Sequence, residues 1–134
     1  MAQEVLVGEH LSQEMILSGA NLLNALDKSR LSVNAALWLL LPEQRSWTLL
    51  LALAEVRLFG PKATYRKVRA ATNRIPPNEP RIATKDISVV EDNAPLIALL
   101  RRAISTGPGV SGIRFSRNTI NGHYIEDAYI YRMT

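Results

Sequence analysis

Two apolar runs near the middle of the chain constrain its fold more than any other feature. They are Val33 to Leu41 and Trp47 to Val56, separated by the turn-like segment Pro42 to Ser46. Runs of this length are typical of strands, and the short polar connection predicts a β-hairpin. Neither run alternates cleanly between apolar and polar residues. Both faces of the sheet therefore need cover, and we expect this hairpin to lie near the centre of the sheet.

The chain has two ways of covering both faces of this hairpin. Its own helices are one source of apolar surface, and a second copy of the protein is the other. Helical periodicity indicates three helices, which offer little area for two sheet faces. We therefore expect the protein to act as a homodimer.

Apolar residues recur at helical spacing on both sides of the hairpin. The segment from Leu11 to Leu26 predicts an amphipathic helix with Ser12 as its cap. Gly19 lies inside this helix at a cost of about 1 kcal/mol relative to alanine, which indicates close packing against a neighbouring element. After the hairpin, Gly60-Pro61 breaks the chain, and a second helix is predicted from Ala63 to Arg74. Its inner stripe is Tyr65, Val68 and Thr72.

The third predicted helix begins near Asn93, a suitable cap, and has Pro95 in its first turn. It ends at Gly107. Its inward residues are Leu96, Leu99, Leu100, Ala103 and Ile104. Between the second and third helices, Ile82 to Val90 predicts a short strand, at an edge of the sheet because a proline-rich connection precedes it.

The dipeptide Asn121-Gly122 predicts a second hairpin, because both positions of a two-residue type I′ turn need positive φ and these residues tolerate it. The resulting order of elements is α-β-β-α-β-α-β-β. This order predicts an α+β fold in which helices pack on an antiparallel or mixed sheet. A length of 134 residues without a linker or repeat predicts a single domain over residues 1–134.

The turn of the second hairpin also predicts its register. The expected pairs are Ile120 with His123, Asn118 with Ile125, Arg117 with Glu126, Ser116 with Asp127, and Arg114 with Tyr129. One face then carries Ile113, Phe115, Arg117, Tyr124, Glu126 and Ile130. The other face carries Arg114, Ser116, His123, Asp127, Tyr129 and Tyr131.

The second of these faces holds the residue types of an acid–base site. Its catalytic candidates are Arg114, His123, Asp127 and Tyr129. His123 and Asp127 are four residues apart on one strand, about 13 Å at roughly 3.3 Å per residue, so they cannot pair directly. A Ser-His-Asp relay within the hairpin is therefore not expected. Two alternatives stay open: a solvated sheet face with a cross-strand ion pair, or a ligand or catalytic face completed by other segments.

Positive charge is concentrated in one segment. The formal net charge is +4, yet residues 57–85 carry eight basic residues against one acidic residue, a net charge of +7. On the second helix these cations fall on two adjacent rows, which gives a broad surface suited to phosphate contact. The nucleic-acid-binding candidates are Lys62, Arg66, Lys67, Arg69 and Arg74. The alternative is an ordinary solvated helix face, because aromatic residues are few in this segment.

Composition excludes several classes of function. Without cysteine the chain cannot form disulfides, thiolate metal sites or iron–sulfur clusters, and its two histidines, His10 and His123, lack the spacing of a metal site. We therefore expect no transition-metal site, while a magnesium site built from scattered carboxylates stays an open alternative. The sequence has no strand, glycine-rich loop and helix in succession, so we expect no cofactor. Its apolar runs are too short for a membrane span or a signal peptide, and we expect a soluble, cytoplasmic protein.

Two stretches resemble small bacterial proteins with no assigned activity. The first is Trp38 to Val68, with Trp-Thr-Leu-Leu-Leu starting at Trp47 and Gly-Pro at Gly60. The second is Gly107 to Arg132, which ends in Ile-Glu-Asp-Ala-Tyr-Ile-Tyr-Arg. The resemblance implies a bacterial, intracellular protein and brings no site residues with it.

Two functional hypotheses follow. The first is a non-enzymatic intracellular interaction or accessory protein that acts as a homodimer, because the first hairpin needs cover and no coherent catalytic set is visible. The second is a nucleic-acid-binding or RNA- or DNA-processing protein that uses the basic 57–85 segment and the polar face of the second hairpin. An enzyme acting on a small molecule is a third alternative, for which the sequence offers no cofactor motif.

Overall fold

The computed structural model describes residues 3–134. The strands are β1 (Gln3–Glu4), β2 (Val33–Leu41), β3 (Ser46–Leu53), β4 (Pro80–Arg81), β5 (Ile87–Glu91), β6 (Ile113–Ile120) and β7 (His123–Met133). The helices are α1 (Gln13–Lys28), α2 (Ala54–Phe59), α3 (Pro61–Thr72) and α4 (Pro95–Arg101). Five strands form one sheet in the order β5-β3-β2-β7-β6, in which only β3 and β5 run parallel. The predicted α+β fold with a mixed sheet is confirmed.

The first hairpin lies at the centre of this sheet, as its apolar sequence predicts. β2 pairs with β3 on one side and with β7 on the other. The register places Leu37 opposite Leu50. A hydrogen bond of 2.8 Å from the Arg45 N–H to the Leu41 carbonyl closes the connecting loop. The predicted β-hairpin is therefore confirmed.

Helices of the same chain cover both faces of the first hairpin. Trp38, Leu49 and Leu51 belong to a buried cluster that includes residues of α1 and α3. Leu37 and Leu50 belong to a second buried cluster, which residues of α4 and of the last hairpin complete. All five side chains are buried in a single copy of the protein. Covering this hairpin does not require a second copy, and homodimerisation stays a prediction.

The predicted close approach at Gly19 is confirmed. Ser12 is the N-cap of α1, as predicted, and its side-chain oxygen accepts a hydrogen bond from the Met15 N–H. A Cβ on Gly19 would overlap the hydroxyl of Tyr131. That hydroxyl donates to the Ile16 carbonyl at 2.6 Å and accepts from the Trp38 indole N–H at 2.9 Å. The absence of a side chain at Gly19 therefore lets α1 pack directly against Tyr131 and Trp38 at the centre of the sheet.

The second strand of the first hairpin is shorter than predicted. We expected a strand from Trp47 to Val56, but β3 ends at Leu53 and α2 follows at once. Both carboxylate oxygens of Glu55 accept hydrogen bonds from the Ser32 N–H, at 3.1 and 3.0 Å, and hold the chain outside the sheet. An apolar run is compatible with a helix as well as a strand, so its composition does not reveal this boundary.

α3 lies close to its predicted position. Its predicted inner stripe is buried at Val68 and Thr72 and half-buried at Tyr65. The Tyr65 hydroxyl accepts the Val89 N–H at 3.2 Å. A side chain of α3 therefore satisfies a backbone donor of β5, at the edge of the sheet.

The predicted strand from Ile82 to Val90 is only partly formed. β5 begins at Ile87, and a single 3-10 turn, Thr84–Asp86, precedes it. β5 pairs only with β3 and is an edge strand, as predicted. The short β4 pairs with β1 instead of joining the main sheet.

α4 starts later and ends earlier than predicted. Its N-cap is Ala94 and not Asn93, and Pro95 occupies the first turn as expected. The chain leaves the helix after Arg101 because the next segment runs beside β7, where the Thr106 N–H donates to the Met133 carbonyl at 3.0 Å. Of the predicted inward residues, Leu100 and Ile104 are buried, Leu96 and Leu99 are half-buried, and Ala103 is exposed, while Ile97 is a buried residue that the prediction omits.

The second hairpin has the predicted turn. Asn121 and Gly122 both have positive φ, at 49° and 82°. The observed register includes Ile120 with His123, Asn118 with Ile125, Ser116 with Asp127, and Arg114 with Tyr129, which confirms four of the five predicted pairs. The fifth pair, Arg117 with Glu126, is not formed.

A backbone irregularity at Arg117 explains the missing pair. Its φ is 47°, a left-handed conformation that interrupts the regular strand. Beyond this point the apolar residues Ile120 and Ile125 belong to the second buried cluster. Arg117 and Glu126 line a pocket together with Leu40. Leu40 packs against the first buried cluster, on the sheet face opposite to Phe115 and Ile130. The prediction that both share a face with Phe115 and Ile130 is therefore wrong.

Candidate functional site

Three polar residues of the second hairpin form one hydrogen-bonded group, which we call the hairpin cluster. The guanidinium of Arg114 contacts both carboxylate oxygens of Asp127, with an Nε–Oδ1 distance of 2.7 Å. Ser116 donates to the same Oδ1 atom at 2.7 Å. The Arg114 guanidinium also lies 5.6 Å from the ring centroid of Trp47. The group therefore contains a cross-strand ion pair of the kind that the sequence leaves as one alternative.

The electrostatics of this cluster oppose a role in general base catalysis. The hydrogen bonds from Arg114 hold the pKa of Asp127 below its ordinary value, and Ser116 acts in the same direction, while partial burial opposes them. Asp127 in turn raises the pKa of Arg114. A carboxylate whose pKa is lowered in this way is a weaker base than a free one. The geometry therefore favours a structural ion pair.

The other two catalytic candidates do not join the hairpin cluster. His123 is exposed at the hairpin tip, where its Nδ1 lies 3.2 Å from the Asn121 carbonyl oxygen. Tyr129 is half-buried, and its ring packs edge-on against Tyr131 with centroids 5.3 Å apart. The structure thus brings Arg114 and Asp127 together, with Ser116, and leaves His123 apart.

Four of the nucleic-acid-binding candidates share one exposed side of α3, and the fifth, Arg74, lies two residues beyond the end of that helix. These five residues, Lys62, Arg66, Lys67, Arg69 and Arg74, are called here the α3 basic surface, and each is exposed. The opposite side of the helix is buried because it carries Thr64, Val68, Ala71 and Thr72. Helical spacing therefore separates the core residues from the cations, as the two predicted rows require.

The cations of the 57–85 segment fall into two groups according to their partners. Arg57 pairs with Asp92, and Lys85 pairs with Asp86. Arg81 is buried and donates to a backbone carbonyl. None of the five members of the α3 basic surface takes part in an ion pair within residues 3–134. The excess positive charge of the segment is thus left on α3, where it faces solvent.

Two shallow pockets lie beside the α3 basic surface, one between α3 and the segment after α1, and the other between α1 and the segment after α3. One has a volume of about 180 Å³ and is lined by Ser29, Leu31, Lys67, Ala70 and Arg74. The other has a volume of about 190 Å³, and its polar lining consists of Asn21, Asn24, Lys28 and Arg74 together with one carboxylate, Glu79. Because Arg74 lines both, we treat them as one feature, the α1–α3 groove.

The groove contains residues that sequence reasoning missed. Asn21, Asn24 and Lys28 lie on the polar side of α1, and their spacing of three and four residues shows that they share one face. That spacing was available in the sequence. Their proximity to Arg74 was not, because it depends on how α1 and α3 pack.

Two exposed apolar residues lie at the end of α2, just before α3. Leu58 and Phe59 are 59% and 60% exposed. The Lys67 ammonium lies 5.5 Å from the centroid of the Phe59 ring, in a cation–π contact. An aromatic side chain therefore borders the α3 basic surface, although the sequence places few aromatic residues in this segment.

A further polar pocket, with a volume of about 420 Å³, lies at the loop end of the first hairpin. Its lining includes His10, Arg45, Arg117 and Glu126. Its ion pair, between Arg45 and Glu9 at 3.7 Å, joins two largely exposed side chains and contributes little. The sequence predicts that Arg117 lies near Glu126 but does not place His10 or Arg45 beside them, which depends on how the first and second hairpins pack.

Within residues 3–134, no group of three or more His, Asp or Glu side chains is placed to hold a metal ion. The helices of that same part of the chain are all too short or too polar to cross a membrane. Comparisons with protein-family models, with curated proteins and with solved structures find no match to this chain. Function is therefore inferred from the geometry of the chain itself.

Proposed function

We propose that this protein is a non-enzymatic binding protein and that its partner is a nucleic acid, held through its phosphates by the α3 basic surface. The observation that carries the proposal is a set of five exposed cations, four on one side of α3 and Arg74 just after it, without carboxylate partners among the described residues. Unpaired lysines and arginines on one surface are typical of proteins that neutralise phosphates.

The shape of this side of the molecule favours a polymer over a small ligand. The two pockets of the α1–α3 groove have volumes of about 180 and 190 Å³, whereas sites for small molecules are usually concave and about 300–1,000 Å³ in volume. Shallow pockets flanked by cations suit a chain of phosphates that crosses the surface. The hairpin cluster does not add a catalytic step, because Asp127 is engaged by Arg114 and Ser116.

A salt titration of binding tests the proposal. The probes are fluorescein-labelled RNA and DNA of mixed sequence, and the readout is anisotropy. Five phosphate contacts predict a slope of log affinity against log salt of about −3.5 to −4.5, at roughly −0.7 to −0.9 per phosphate. Affinity should then fall by about two orders of magnitude between roughly 50 and 200 mM salt.

Two matched variants distinguish the effect of the α3 basic surface on binding from the effect of net charge. Replacing Arg66, Arg69 and Arg74 by alanine should weaken binding and reduce the slope to about −1.4 to −1.8, the value for two remaining contacts. The control variant replaces Arg45, Arg102 and Arg117, which are equally exposed but lie elsewhere, and should keep most of the affinity. The proposal would be refuted if the protein showed no binding at low salt, or if the two variants lost the same affinity.

Homodimerisation is a second candidate function, and the free edge of β6 favours it. β6 is the outermost strand on its side of the sheet, whereas Tyr65 occupies part of the edge at β5. Unpaired strand edges are common sites of pairing between copies. The left-handed conformation of Arg117 restricts regular pairing to the residues before it. Light scattering after size-exclusion chromatography decides this point, and a strict monomer at high concentration would remove the candidate.

A further inference from the structure

We infer that the nucleic acid is bound as a single strand, which follows the α1–α3 groove and stacks a base on Phe59. This inference rests on the proposed function and makes it more specific. It depends on a series of shared contacts that connects Phe59, through Lys67 and Arg74, to the end of α1.

Shared contacts place Phe59, Lys67, Arg74 and Lys28 in a series along the surface. Lys67 lies over the ring of Phe59 and also lines the first pocket of the groove. Arg74 lines the same pocket and the next one, and its guanidinium donates to the Ser29 hydroxyl at 3.3 Å. Lys28 lines the far pocket. A strand lying here would pass an aromatic ring first and then three cations, spaced along the groove.

Phe59 gives this series of residues its preference for unpaired bases. The ring is 60% exposed, and the Lys67 ammonium lies over it at 5.5 Å from the centroid. Every nucleic-acid base has a π-face, and stacking on an aromatic side chain is the usual way in which proteins hold single strands without reading their sequence. In a duplex the faces of the bases are already stacked on their neighbours, so a duplex offers phosphates to the α3 basic surface but no base to Phe59.

The far end of the groove fits the same ligand. Asn21 and Asn24 line the pocket next to Lys28. Amide side chains both donate and accept hydrogen bonds, so they suit the edges of unpaired bases and sugar hydroxyls. The amide nitrogen of Asn21 is used in a bond of 3.1 Å to the Pro80 carbonyl, which orients this side chain.

The test compares one oligonucleotide of about 12 nucleotides as a single strand and as a duplex, within the usual range of single-strand site sizes. The single strand should bind more tightly. Phe59→Ala should weaken its binding by about 5- to 150-fold, the range for one stacked base, and leave duplex binding unchanged. A 2-aminopurine base in the strand should be quenched on binding to the wild type and less so with Phe59→Ala.

Two variants provide controls. Leu58→Ala removes an equally exposed apolar side chain without a π-face and should leave affinity unchanged, whereas Phe59→Trp should retain it. Equal or tighter binding of the duplex, or no effect of Phe59→Ala, would overturn this inference while the loss in the Arg66, Arg69 and Arg74 variant still supports the proposed function. Absence of binding by either form would overturn both.

Discussion

Gly19 shows how a single missing side chain positions a whole helix. Its α-carbon faces the Tyr131 hydroxyl, which is itself held by hydrogen bonds to α1 and to Trp38. Burial raises the pKa of Tyr131, and the hydrogen bond from Trp38 only partly opposes this effect. The hydroxyl therefore stays protonated and keeps donating to the helix over the ordinary pH range.

We expect Gly19→Ala to destabilise the protein. Alanine normally favours a helix by about 1 kcal/mol over glycine. Overpacking a buried contact costs about 1–3 kcal/mol and would also disturb the Tyr131 hydrogen bonds. The free energy of unfolding, measured by urea denaturation, should fall by about 1–2 kcal/mol. Gly8→Ala is the control, because nothing lies near its Cβ position, and a Gly19→Ala protein as stable as wild type would contradict the expectation.

The Arg114–Asp127 pair predicts a pH dependence of stability. Arg114 lowers the pKa of Asp127 from its ordinary value of 3.8 in the folded state. The stabilisation is therefore present above that value and is lost as the pH falls through the lower pKa of the folded state. Asp127→Asn should cost about 0.5–1 kcal/mol at neutral pH, a small value because Arg114 is half exposed.

Urea unfolding at a series of pH values measures this effect. The difference between wild type and Asp127→Asn should be constant near neutral pH and should shrink below pH 3.8. Glu43→Gln, on the exposed loop of the first hairpin, is expected to show no such difference. If the difference in free energy of unfolding between wild type and Asp127→Asn grew at acidic pH, the ion pair could not be its source.

At the scale of elements, the junction between α2 and α3 decides where the α3 basic surface faces. Gly60 ends α2 and precedes Pro61, with φ 86° and ψ 165°. This region of backbone conformation is populated almost only by glycine. The direction of α3, and with it the position of Lys67 relative to Phe59, therefore depends on one residue that lies outside both helices.

Gly60→Ala is predicted to lower the free energy of unfolding by about 1–3 kcal/mol, the cost of such a conformation for a residue with a Cβ. Space is not the cause, because nothing lies within 4 Å of the Cβ position. Gly107→Ala is the matched control, since it is equally open and lacks positive φ. Thermal unfolding of the two variants should therefore differ. Equal melting temperatures would show that the junction relaxes without cost.

At the scale of the whole molecule, Arg132 joins parts that are far apart in the sequence. Its side chain is 5% exposed and forms a bidentate pair with Asp27 at the end of α1. It also donates to the carbonyls of Val33 on β2 and Gly109 before β6. The first helix, a central strand and the last hairpin are thus connected by one buried guanidinium.

Asp27→Ala is expected to destabilise the whole fold by about 1–3 kcal/mol, because it leaves the buried Arg132 without its carboxylate, while the 40% exposure of Asp27 reduces the cost. Glu9→Ala removes a carboxylate from an exposed pair and should cost no more than about 0.5 kcal/mol. Both are measured by urea denaturation followed by circular dichroism and by tryptophan fluorescence. The two signals should shift together for Asp27→Ala. A cost as small as that of Glu9→Ala would mean that water replaces the carboxylate.

Local patterns in the sequence determined much of this protein. Helical spacing predicted α1 and α3, the Asn121-Gly122 dipeptide predicted the second hairpin and four of its pairs, and the clustering of charge predicted the cations of the α3 basic surface. These features depend on residues within a few positions of one another, which is why backbone propensity and periodicity are enough to read them.

The tertiary structure alone decided the boundaries and the site. Glu55 accepts the Ser32 N–H just beyond the end of β3, and the left-handed conformation of Arg117 removes one pair from the last hairpin without shifting its register. The α1–α3 groove forms because Lys28 and Arg74, 46 positions apart, are brought together by packing. Such contacts depend on long-range hydrogen bonds and on burial, which no local pattern encodes. Local sequence therefore determined which charged residues are present, and the tertiary structure determined that they line the α1–α3 groove.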